Sequence, residues 1–476
     1  MEALSIKEIA EAVGGKVLCG DENLLITSVS TNSKNLEAGS LFVPIVGERV
    51  DAHDFISDAF ANGAVACFTS RHEVLKVKMI YIEVEDTIKA LQALGTFYRS
   101  RFNIPVIGIT GSVGKTTTKE MVAAALEMKY KVLKTEGNMN SQVGLPLMML
   151  RLDSSHEIAV IEMGMSEEGE MAKLTPIAKP EVAIITNIGV SHIGQLKTKE
   201  NIRKEKLNII NCFDDNSILY INGNDELLSE VQVNKEKTQN SVMIDLSEAT
   251  HHKLKNTKVV SFGTQNLCDY KAENIKTIDG ETHFTLQEDG EEIILRVLGI
   301  HNVYNALAAL AVARHYNIPS SLAKEGLRNY QPIAMRGQII EINNMKIIDD
   351  SYNASPDSMI GGIQVLLALV GATRRIAVLA DALELGELSY QCHYDVGTYI
   401  AGQKIDEVVT IGAFATYIAK AIQEKNQSIL THSYKSNVEA ITYLQKNLKA
   451  GDAVLIKGSR SMRTDEIVKA LSQEKN

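Results

Sequence analysis

The chain has 476 residues, of which 45% are hydrophobic and 23% are charged, and its formal net charge at pH 7 is −10. This length exceeds one ordinary domain and suggests about three, and the composition is typical of folded rather than disordered proteins. The acidic balance, without a long basic block, argues against nucleic acid and anionic membranes as partners.

Cysteine usage and the first residues indicate the compartment. The five cysteines are scattered singly, without the paired spacing of a zinc site or a disulfide framework, which predicts reduced thiols. No basic head followed by an apolar stretch opens the chain, so no secretion signal is predicted. Residues 359–372 form the most apolar helix candidate, but they are too few to span a bilayer and are predicted to pack on a sheet. We therefore expect a cytoplasmic protein that does not enter a membrane.

Apolar patterning divides the chain into three α/β blocks, which we predict to be domains of residues 1–103, 104–317 and 318–476. The first is a small α/β domain, and the other two alternate strands with helices, as a mostly parallel sheet requires. A polar, lysine-rich stretch at residues 230–258 predicts a solvated excursion, and residues 317–321 predict a hinge. The predicted strands are residues 41–46, 64–68, 104–110, 158–162, 182–186, 346–350, 376–380, 408–411 and 453–457, and the predicted helices include residues 87–101, 119–128 and 199–210.

A strand, a glycine-rich turn, a Lys-Thr pair and a helix follow one another at the start of the central block. Residues 111–118 read Gly-Ser-Val-Gly-Lys-Thr-Thr-Thr. Glycines let the backbone approach an anion, and the free N–H groups of the turn and the helix start point at it. The alternative is a chance glycine turn, which the flanking strand and helix disfavour, so we predict nucleoside triphosphate binding. The predicted contacts are Gly111, Ser112, Val113, Gly114, Lys115, Thr116 and Thr117.

Within this loop, two side chains have distinct expected roles. Lys115 is expected to neutralise the outer phosphates, and the hydroxyl of Thr116 to ligate Mg²⁺. Glu162 closes the apolar strand at residues 158–162, and His192 follows the strand at 182–186. The carboxyl ends of parallel strands share one edge of a sheet, so both side chains are candidate ligands of nucleotide-bound Mg²⁺. A surface glutamate and a loop histidine are the equally weighted alternatives.

Two helical patterns carry further candidates. Lys206 lies in the helix at 199–210, where its default role is a surface charge paired with Glu205 or Glu200. Asn302 and Asn305 are three residues apart and share one helix face. Their amides are suited to reading an adenine edge, but equally to bridging helices.

Polar residues of the third block are candidates for domain closure and substrate binding. Arg336 follows the predicted hinge, where it can fold over the triphosphate or form a plain interdomain salt bridge. Residues 349–357 cluster carboxylates, an amide and an aromatic ring after a strand, although Asp357 can simply begin a helix. Residues 457–460 read Lys-Gly-Ser-Arg and suit an anion such as a substrate carboxylate, or form a charged loop in solvent.

Taken in order, these motifs resemble the Mur ligases, which are ATP-dependent amide-forming enzymes of peptidoglycan precursor synthesis. The resemblance runs nearly end to end and rests on a combination of motifs. Its central motifs are residues 110–117, 162–164, 185–192, 205–209 and 301–305 together with Arg336. Further matching motifs are residues 41–51, 53–55, 349–359, 381–386 and 457–462.

The resemblance implies a small α/β UDP-binding domain, a central P-loop domain with a mostly parallel sheet and a C-terminal Rossmann-like α/β domain. It implies ATP, two Mg²⁺ ions and carbamylation of Lys206 by CO2, and a monomer that joins D-alanyl-D-alanine to UDP-N-acetylmuramoyl-tripeptide. The implied catalytic residues are Lys115, His192, Lys206 and Arg336, and the implied metal ligands are Thr116, Glu162, His192 and Lys206. The nucleotide is expected to contact Asn302, Asn305, Arg336 and Asp350 as well as the loop. The implied substrate contacts are Ser33, Lys34, Asn140, Ser141, Asn353, Asp381, Lys457 and Ser459.

The sequence departs from the family pattern in the first domain. Asn32-Ser33-Lys34 stands where Asp-Ser-Arg is usual, and lysine lacks the planar fork for a bidentate contact. Two other functions remain open. Folylpolyglutamate synthases share the central domain and mechanism, whereas a nucleotide-switched binding protein would use the loop for conformation alone. The motifs leave open whether the third peptide residue is lysine or diaminopimelate.

Overall fold

The computed structural model describes residues 1–71, 78–236 and 245–473, which form three α/β units in chain order. The strands of the first unit are β1 (Leu4–Ser5), β2 (Lys16–Cys19), β3 (Leu25–Ile26), β4 (Val29–Ser30), β5 (Ser40–Phe42), β6 (Ala64–Thr69) and β7 (Ile80–Glu83). Its helices are α1 (Ile6–Val13), α2 (Ile56–Ala61) and α3 (Thr87–Ser100). A five-stranded sheet has the order β2-β7-β6-β5-β4, and β1 and β3 pair separately.

The predicted helix at 87–101 is α3, and it joins the first unit to the second. Asp86 caps its start by accepting hydrogen bonds from the backbone N–H groups of Ile88 and Lys89. Leu91, Leu94 and Tyr98 are buried on its inner face. The hydroxyl of Tyr98 donates a 2.7 Å hydrogen bond to the carbonyl oxygen of Leu152 in the second unit. The two units therefore share a continuous core.

The central unit contains a sheet with the order β16-β15-β14-β13-β12-β11-β8-β10-β9, parallel from β9 to β14 and antiparallel beyond. Its strands are β8 (Val106–Thr110), β9 (Val132–Lys134), β10 (Ile158–Glu162), β11 (Val182–Ile185), β12 (Ile218–Asn222), β13 (Lys258–Gly263), β14 (Tyr270–Ile278), β15 (Glu281–Leu286) and β16 (Glu292–Leu295). Its helices are α4 (Lys115–Leu126), α5 (Gly144–Met149), α6 (Glu170–Ala178), α7 (Ile193–Leu196), α8 (Lys199–Leu207), α9 (Glu226–Glu236), α10 (Glu248–Asn256), α11 (Ile300–His315) and α12 (Ser320–Asn329). The strands β8, β10 and β11 are completely buried, as expected for a parallel sheet covered on both faces.

The third unit has a six-stranded sheet with the order β17-β18-β22-β19-β20-β21, in which only the edge pair β17 and β18 is antiparallel. Its strands are β17 (Gln338–Ile342), β18 (Met345–Asp349), β19 (Arg374–Ala380), β20 (Glu407–Ile411), β21 (Leu430–Tyr434) and β22 (Asp452–Lys457). Its helices are α13 (Pro356–Ala368), α14 (Ser389–Ala401), α15 (Thr416–Lys425), α16 (Asn437–Asn447) and α17 (Asp465–Ser472). The apolar helix candidate at 359–372 is mostly α13, and it packs on β22 as predicted. Within the described part of the chain, none of the helices combines the length and apolarity that a membrane crossing requires.

Three predicted elements need correction. The strand at 41–46 is shorter, because pairing ends at Phe42. The solvated excursion at 230–258 instead contains the end of α9 and all of α10, apart from residues 237–244, which lie outside the described residues. The hinge at 317–321 is a tight turn between α11 and α12, with Asn317 at a φ of 57°.

The last correction moves the start of the third unit. Helix α12 packs on α4, and a Cβ at Gly326 would lie 2.1 Å from the carbonyl oxygen of Ala124. Ile318, Ala323 and Leu327 belong to the central core. The connection to the third sheet therefore follows α12 and runs from Tyr330 to Gly337, so the predicted boundary at 317/318 cuts off a helix of the central unit.

Candidate active site

A cavity of about 690 Å³ opens between the central and third units. It lies at the carboxyl ends of the central parallel strands, where ligands of open α/β sheets bind. The predicted site residues that line it are Ser112, Val113, Gly114, Lys115, Thr116, Thr117, Asn140, Ser141, Glu162, His192, Asn302, Asn305, Arg336, Asp350, Asn353 and Lys457. Residues far apart in the sequence are thus brought to one cleft.

The loop between β8 and α4 has the backbone geometry of an anion cradle. Gly111 has a φ of 150°, and a Cβ there would lie 1.8 Å from Oγ1 of Thr186. Gly114 has a φ of 87°, a conformation that favours glycine. The Lys115 ammonium donates a 2.8 Å hydrogen bond to the Gly111 carbonyl oxygen and so lies across the loop.

Residues at the end of the neighbouring strand β11 hold this loop in place. The side-chain oxygen of Asn187 accepts hydrogen bonds from the backbone N–H groups of Ser112, at 3.1 Å, and Val113, at 2.9 Å. The Thr186 hydroxyl donates to the carbonyl oxygen of Val113 at 2.5 Å. Both residues follow β11 directly, so the loop's shape is held by the chain segment that also carries His192.

The carboxylate of Glu162 is buried at the end of β10 and is 2% exposed. Its Oε2 accepts a 2.9 Å hydrogen bond from the Thr116 hydroxyl, and its Oε1 accepts a 2.8 Å hydrogen bond from the Asn140 amide. The backbone N–H of Glu162 donates to the Thr135 hydroxyl at 2.9 Å. Because a buried carboxylate and a hydroxyl beside a phosphate loop are oxygen ligands that Mg²⁺ prefers, Thr116 and Glu162 fit a metal site.

The interpretation of Lys206 as a helix-surface charge is wrong, since its side chain is buried and only 2% exposed. Burial, followed by the positive charge of Lys115, holds the pKa of Lys206 well below its ordinary value. Within the described part of the chain, Lys206 forms no ion pair with Glu205, whose negative charge only opposes the lowering of the Lys206 pKa. Glu205 instead accepts hydrogen bonds from the backbone N–H groups of Gly169, at 3.0 Å, and Met171, at 2.8 Å, at the start of α6.

Lys115 is half-buried and lies beside this second amine. Burial lowers the pKa of Lys115, the positive charge of Arg336 lowers it further, and the carboxylate of Glu162 opposes both. Lys206 does not line the cavity, whereas Lys115 and Arg336 do and together concentrate positive charge there. An anion such as a triphosphate is the ligand that would relieve their mutual repulsion.

The amide pair on α11 holds helices together. The side-chain oxygen of Asn305 accepts a 2.9 Å hydrogen bond from the Thr118 hydroxyl on α4, and its Nδ2 donates to Oδ1 of Asn302 at 3.2 Å. Nδ2 of Asn302 donates to the carbonyl oxygen of Leu298 at 2.8 Å. These contacts show that the amide of Asn305 bridges α11 and α4, as one of the two alternatives predicted. Recognition of an adenine edge by the two amides, which line the cavity, stays a prediction.

Arg336 contacts an aromatic ring and forms no interdomain salt bridge with any residue that the structure describes. Its guanidinium carbon lies 3.7 Å from the centre of the Tyr352 ring, close enough for a cation–π interaction. Arg336 also lines the cavity that contains the phosphate loop, where its charge acts on Lys115.

Lys457 is not a solvated loop charge, because it is 2% exposed at the end of β22. Its ammonium donates hydrogen bonds to Oδ2 of Asp350 at 2.5 Å and to the carbonyl oxygen of Asn353 at 3.0 Å. This pair joins β22 to the segment after β18 on the third unit's side of the cavity.

The chain is similar to known proteins along most of its length. The family models described as "Mur ligase family, catalytic domain", "Mur ligase middle domain" and "Mur ligase, glutamate ligase domain" match residues 25–99, 109–313 and 335–460. A Bacillus subtilis protein named UDP-N-acetylmuramoyl-tripeptide–D-alanyl-D-alanine ligase is 37% identical over 98% of both chains. The chain belongs to the Mur ligase family.

Solved structures confirm the predicted fold of this Mur ligase. A crystal structure of MurF from Acinetobacter baumannii superposes with a TM-score of 0.87, at 29% identity and full coverage of both chains. A MurF ligase from Thermotoga maritima in complex with ADP superposes with a TM-score of 0.79, at 29% identity over 94% of this chain and 97% of that one. The three-domain α/β class with a mostly parallel central sheet is therefore correct.

Four predicted substrate residues of this Mur ligase lie away from the cavity. Ser33 is buried in the first unit, where its carbonyl oxygen accepts a 2.9 Å hydrogen bond from Asn62, and Lys34 is exposed nearby. Asp381 accepts hydrogen bonds from the backbone N–H groups at 413 and 415, before α15, at 3.1 and 2.7 Å. The Ser459 hydroxyl accepts a 2.8 Å hydrogen bond from the N–H of Leu383. Asp381 and Ser459 thus have structural partners that shape the loop after β19.

Sequence reasoning missed several side chains that shape the site. Thr186 and Asn187 lie inside the motif at 185–192, but their residue types gave no signal of their own, and Tyr352 was noted only as the aromatic ring of the cluster at 349–357. Glu384 lies in the motif at 381–386, and its Oε2 is 2.6 Å from Nδ1 of His192. Only the three-dimensional arrangement shows that Glu384 of the third unit meets a residue of the central unit.

Proposed function

We propose that this chain is an ATP-dependent ligase that joins D-alanyl-D-alanine to UDP-N-acetylmuramoyl-tripeptide in peptidoglycan precursor synthesis. The observation that carries the proposal is that one cavity combines the phosphate loop, Glu162 and His192 with Arg336, Asp350 and Lys457 of the third unit. The relative named for this reaction, which matches nearly end to end, supports the same substrates.

The reaction begins with two anions that must meet. The tripeptide carboxylate attacks the γ-phosphorus of ATP, which forms an acyl phosphate and releases ADP. At about 4 Å and an effective dielectric near 20, each like-charge pair costs roughly 4 kcal/mol. Lys115 and Arg336 offset this repulsion, because both lie at the cavity and carry positive charge when protonated.

The second step forms the amide bond. The amine of D-alanyl-D-alanine attacks the acyl carbon, which gives a tetrahedral intermediate, and phosphate then leaves. Asn140, Ser141 and Asn353 line the cavity and are proposed to orient the peptide substrates. Ser33 and Lys34, which lie in the first unit, are proposed to contact the UDP end, and Asp381 and Ser459 to support the loop beside the acceptor.

Magnesium fits the oxygen-rich end of the cavity. Thr116 and Glu162 would hold one ion, and His192 would help to hold a second. Bound Mg²⁺ would neutralise phosphate charge as bond formation proceeds. In the described part of the chain, no group of three or more His, Cys, Asp or Glu side chains could hold a metal by itself. Nucleotide oxygens and a modified lysine would therefore have to complete the coordination.

The environment of Lys206 supports carbamylation. A neutral amine is the form that attacks CO2, and burial with the nearby charge of Lys115 lowers the pKa of Lys206 and so favours that form. The amine nitrogen bonds to the carbon of CO2 and loses one proton, which yields a carbamate anion. The product would replace a repulsive cation by an oxygen ligand for metal.

A monomeric state and a cytoplasmic location also stay predictions.

A phosphate-release assay tests the proposed function. The purified chain receives ATP and Mg²⁺, UDP-N-acetylmuramoyl-tripeptide with lysine or diaminopimelate as its third residue, and a panel of dipeptide amines. We expect rapid turnover only when the tripeptide and D-alanyl-D-alanine are both present. Release driven by folate and glutamate would instead indicate a folylpolyglutamate synthase, and slow acceptor-independent hydrolysis a nucleotide switch.

A further inference from the structure

The segment of residues 188–194, here called the 188–194 loop, connects the phosphate loop to the third unit. On the nucleotide side, the N–H of Gly189 donates to the Ser112 hydroxyl at 2.9 Å. The Ser191 hydroxyl donates to the Ser112 carbonyl oxygen at 3.4 Å. Any shift of the phosphate loop at Ser112 is therefore transmitted to this segment.

The third unit contacts the same loop at two points. Oδ2 of Asp357 accepts a 3.4 Å hydrogen bond from the N–H of Val190, and the N–H of Gly194 donates to the Glu384 carbonyl oxygen at 3.0 Å. A Cβ at Gly189 would lie 2.3 Å from Oδ2 of Asp357, and one at Gly194 would lie 2.8 Å from the Glu384 oxygen. At Gly194 the absence of a side chain allows the two backbones to approach closely, whereas at Gly189 it leaves room for the end of the Asp357 side chain.

Between these two points, the Glu384 carboxylate meets the His192 ring. Oε2 of Glu384 lies 2.6 Å from Nδ1 of His192. Both residues adopt left-handed backbone conformations, with φ of 63° for His192 and 66° for Glu384. Non-glycine residues rarely adopt this conformation, so the surrounding contacts must hold both residues in place.

A carboxylate at Nδ1 has a specific consequence for the ring. A carboxylate 2.6 Å from Nδ1 favours the tautomer in which Nδ1 carries the proton, which leaves the lone pair of the neutral ring on Nε2. Histidine ligands of metals commonly have their other ring nitrogen held in this way, which sets both the tautomer and the ring orientation. Because the Glu384 side chain is 54% exposed, the contact adds little as an ion pair, and its effect lies in orientation.

We propose that Glu384 is a positioning residue of the third unit that orients His192 of the central unit for metal binding. The contact exists only while the central and third units lie against each other along the 188–194 loop. The metal site is therefore completed when these two units come together. This inference rests on the proposed function in one respect, which is that His192 ligates Mg²⁺ beside the nucleotide.

The test measures metal binding by the full chain without any turnover. Mn²⁺, which is visible by electron paramagnetic resonance, is titrated in the presence of a non-hydrolysable ATP analogue. Glu384→Ala is expected to raise the Kd for Mn²⁺ by roughly 10–100-fold. Glu384→Gln keeps an acceptor oxygen and is expected to stay within about threefold of the wild type.

Two controls isolate the contact. Glu387 is an exposed carboxylate in the same loop, with no hydrogen bond or ion pair to any residue described in the structure, so Glu387→Ala should leave the Kd unchanged. In a His192→Ala background, Glu384→Ala should have no further effect, because the two side chains act as one unit. Thermal unfolding midpoints verify that every variant is folded.

Three outcomes would overturn the proposal. In the first, Glu384→Ala leaves the Kd for Mn²⁺ unchanged but increases the radius of gyration measured by small-angle scattering, which would show that Glu384 only holds the two units together. In the second, Glu384→Ala changes neither the Kd nor the radius of gyration. In the third, Mn²⁺ does not bind to the wild type with nucleotide. If the ligase assay fails while Glu384→Ala still raises the Kd for Mn²⁺, the result contradicts the proposed substrates and leaves the role of Glu384 intact.

Discussion

The hydroxyl of Thr116 donates a 2.9 Å hydrogen bond to Oε2 of Glu162, and this contact joins the phosphate loop to the end of β10. The two residues are 46 positions apart in the chain, and the parallel pairing of β8 with β10 places them side by side. The contact bears on both catalysis and stability. Thr116 and Glu162 are proposed Mg²⁺ ligands, and the buried Glu162 carboxylate depends on hydrogen-bond donors such as the Thr116 hydroxyl.

Replacing Thr116 by valine keeps the side-chain shape and removes the hydroxyl. We expect the Mg²⁺ concentration for half-maximal activity to rise at least about tenfold, since one ligand is lost. The free energy of unfolding should fall by about 1–3 kcal/mol, because the buried Glu162 carboxylate loses a donor. Thr116→Ser retains the hydroxyl and is the matched control in both the metal titration and the denaturant titration.

Removing the loop cation should abolish turnover and leave the fold intact. In Lys115→Ala, the repulsion between the attacking carboxylate and the phosphate is no longer offset, so kcat should fall at least about 100-fold. Lys173, an exposed lysine of α6, supplies the control variant Lys173→Ala, which should behave like the wild type. Phosphate release and the thermal unfolding midpoint are the measurements, and near-normal activity of Lys115→Ala would contradict the expectation.

Lys206→Ala should be nearly inactive and should regain part of its activity when formate or acetate is added. A small carboxylate can occupy the space of the lost side chain and supply the oxygen ligand that a carbamate would provide. The control is Lys204→Ala on the same helix, whose ammonium pairs with Asp245 at 3.0 Å near the surface. Full activity of Lys206→Ala without added carboxylate would rule out the carbamate role.

The burial of Lys206 should also make stability depend on pH. The unfolded chain keeps the proton of Lys206 up to the ordinary pKa of 10.5, whereas the folded chain releases it at lower pH. Between these two pKa values the unfolded state binds more protons, so the free energy of unfolding rises with pH. In CO2-free buffer, Lys206→Met should therefore be more stable than the wild type near pH 7, by a margin that shrinks toward pH 10.5. Lys204→Met is the control and should show no such trend in urea titrations.

The stacking of Arg336 on Tyr352 should affect ATP use. Arg336→Lys keeps the charge but loses the planar group that lies 3.7 Å from the ring centre, so kcat/KM for ATP should fall at least about tenfold. Tyr352→Leu removes a cation–π contact of about 1 kcal/mol, which corresponds to about a fivefold loss in kcat/KM. Tyr352→Phe keeps the ring and should match the wild type. Equal values for the leucine and phenylalanine variants would show that stacking is irrelevant.

Local sequence patterns were sufficient for much of the fold and for one half of the site. The strand before residue 111, the loop and α4 follow from apolar runs and glycines, and the ends of β10 and β11 placed Glu162 and His192 at one sheet edge. These predictions succeed because parallel strands carry their carboxyl ends to the same edge whatever the loops between them do. The boundary at 317/318 failed because a Pro-Ser-Ser segment looks alike in a hinge and in a turn between packed helices.

The amino-acid sequence by itself determined the order of strands and helices, the phosphate loop and the residue types at the sheet edge, since each depends on neighbours along the chain. Only the tertiary structure decided that Lys206 is buried beside Lys115, that Arg336 lies on Tyr352 and that Glu384 meets His192. Burial, pKa and contacts between units depend on groups that are distant in sequence, and their distances are set when the sheets pack together.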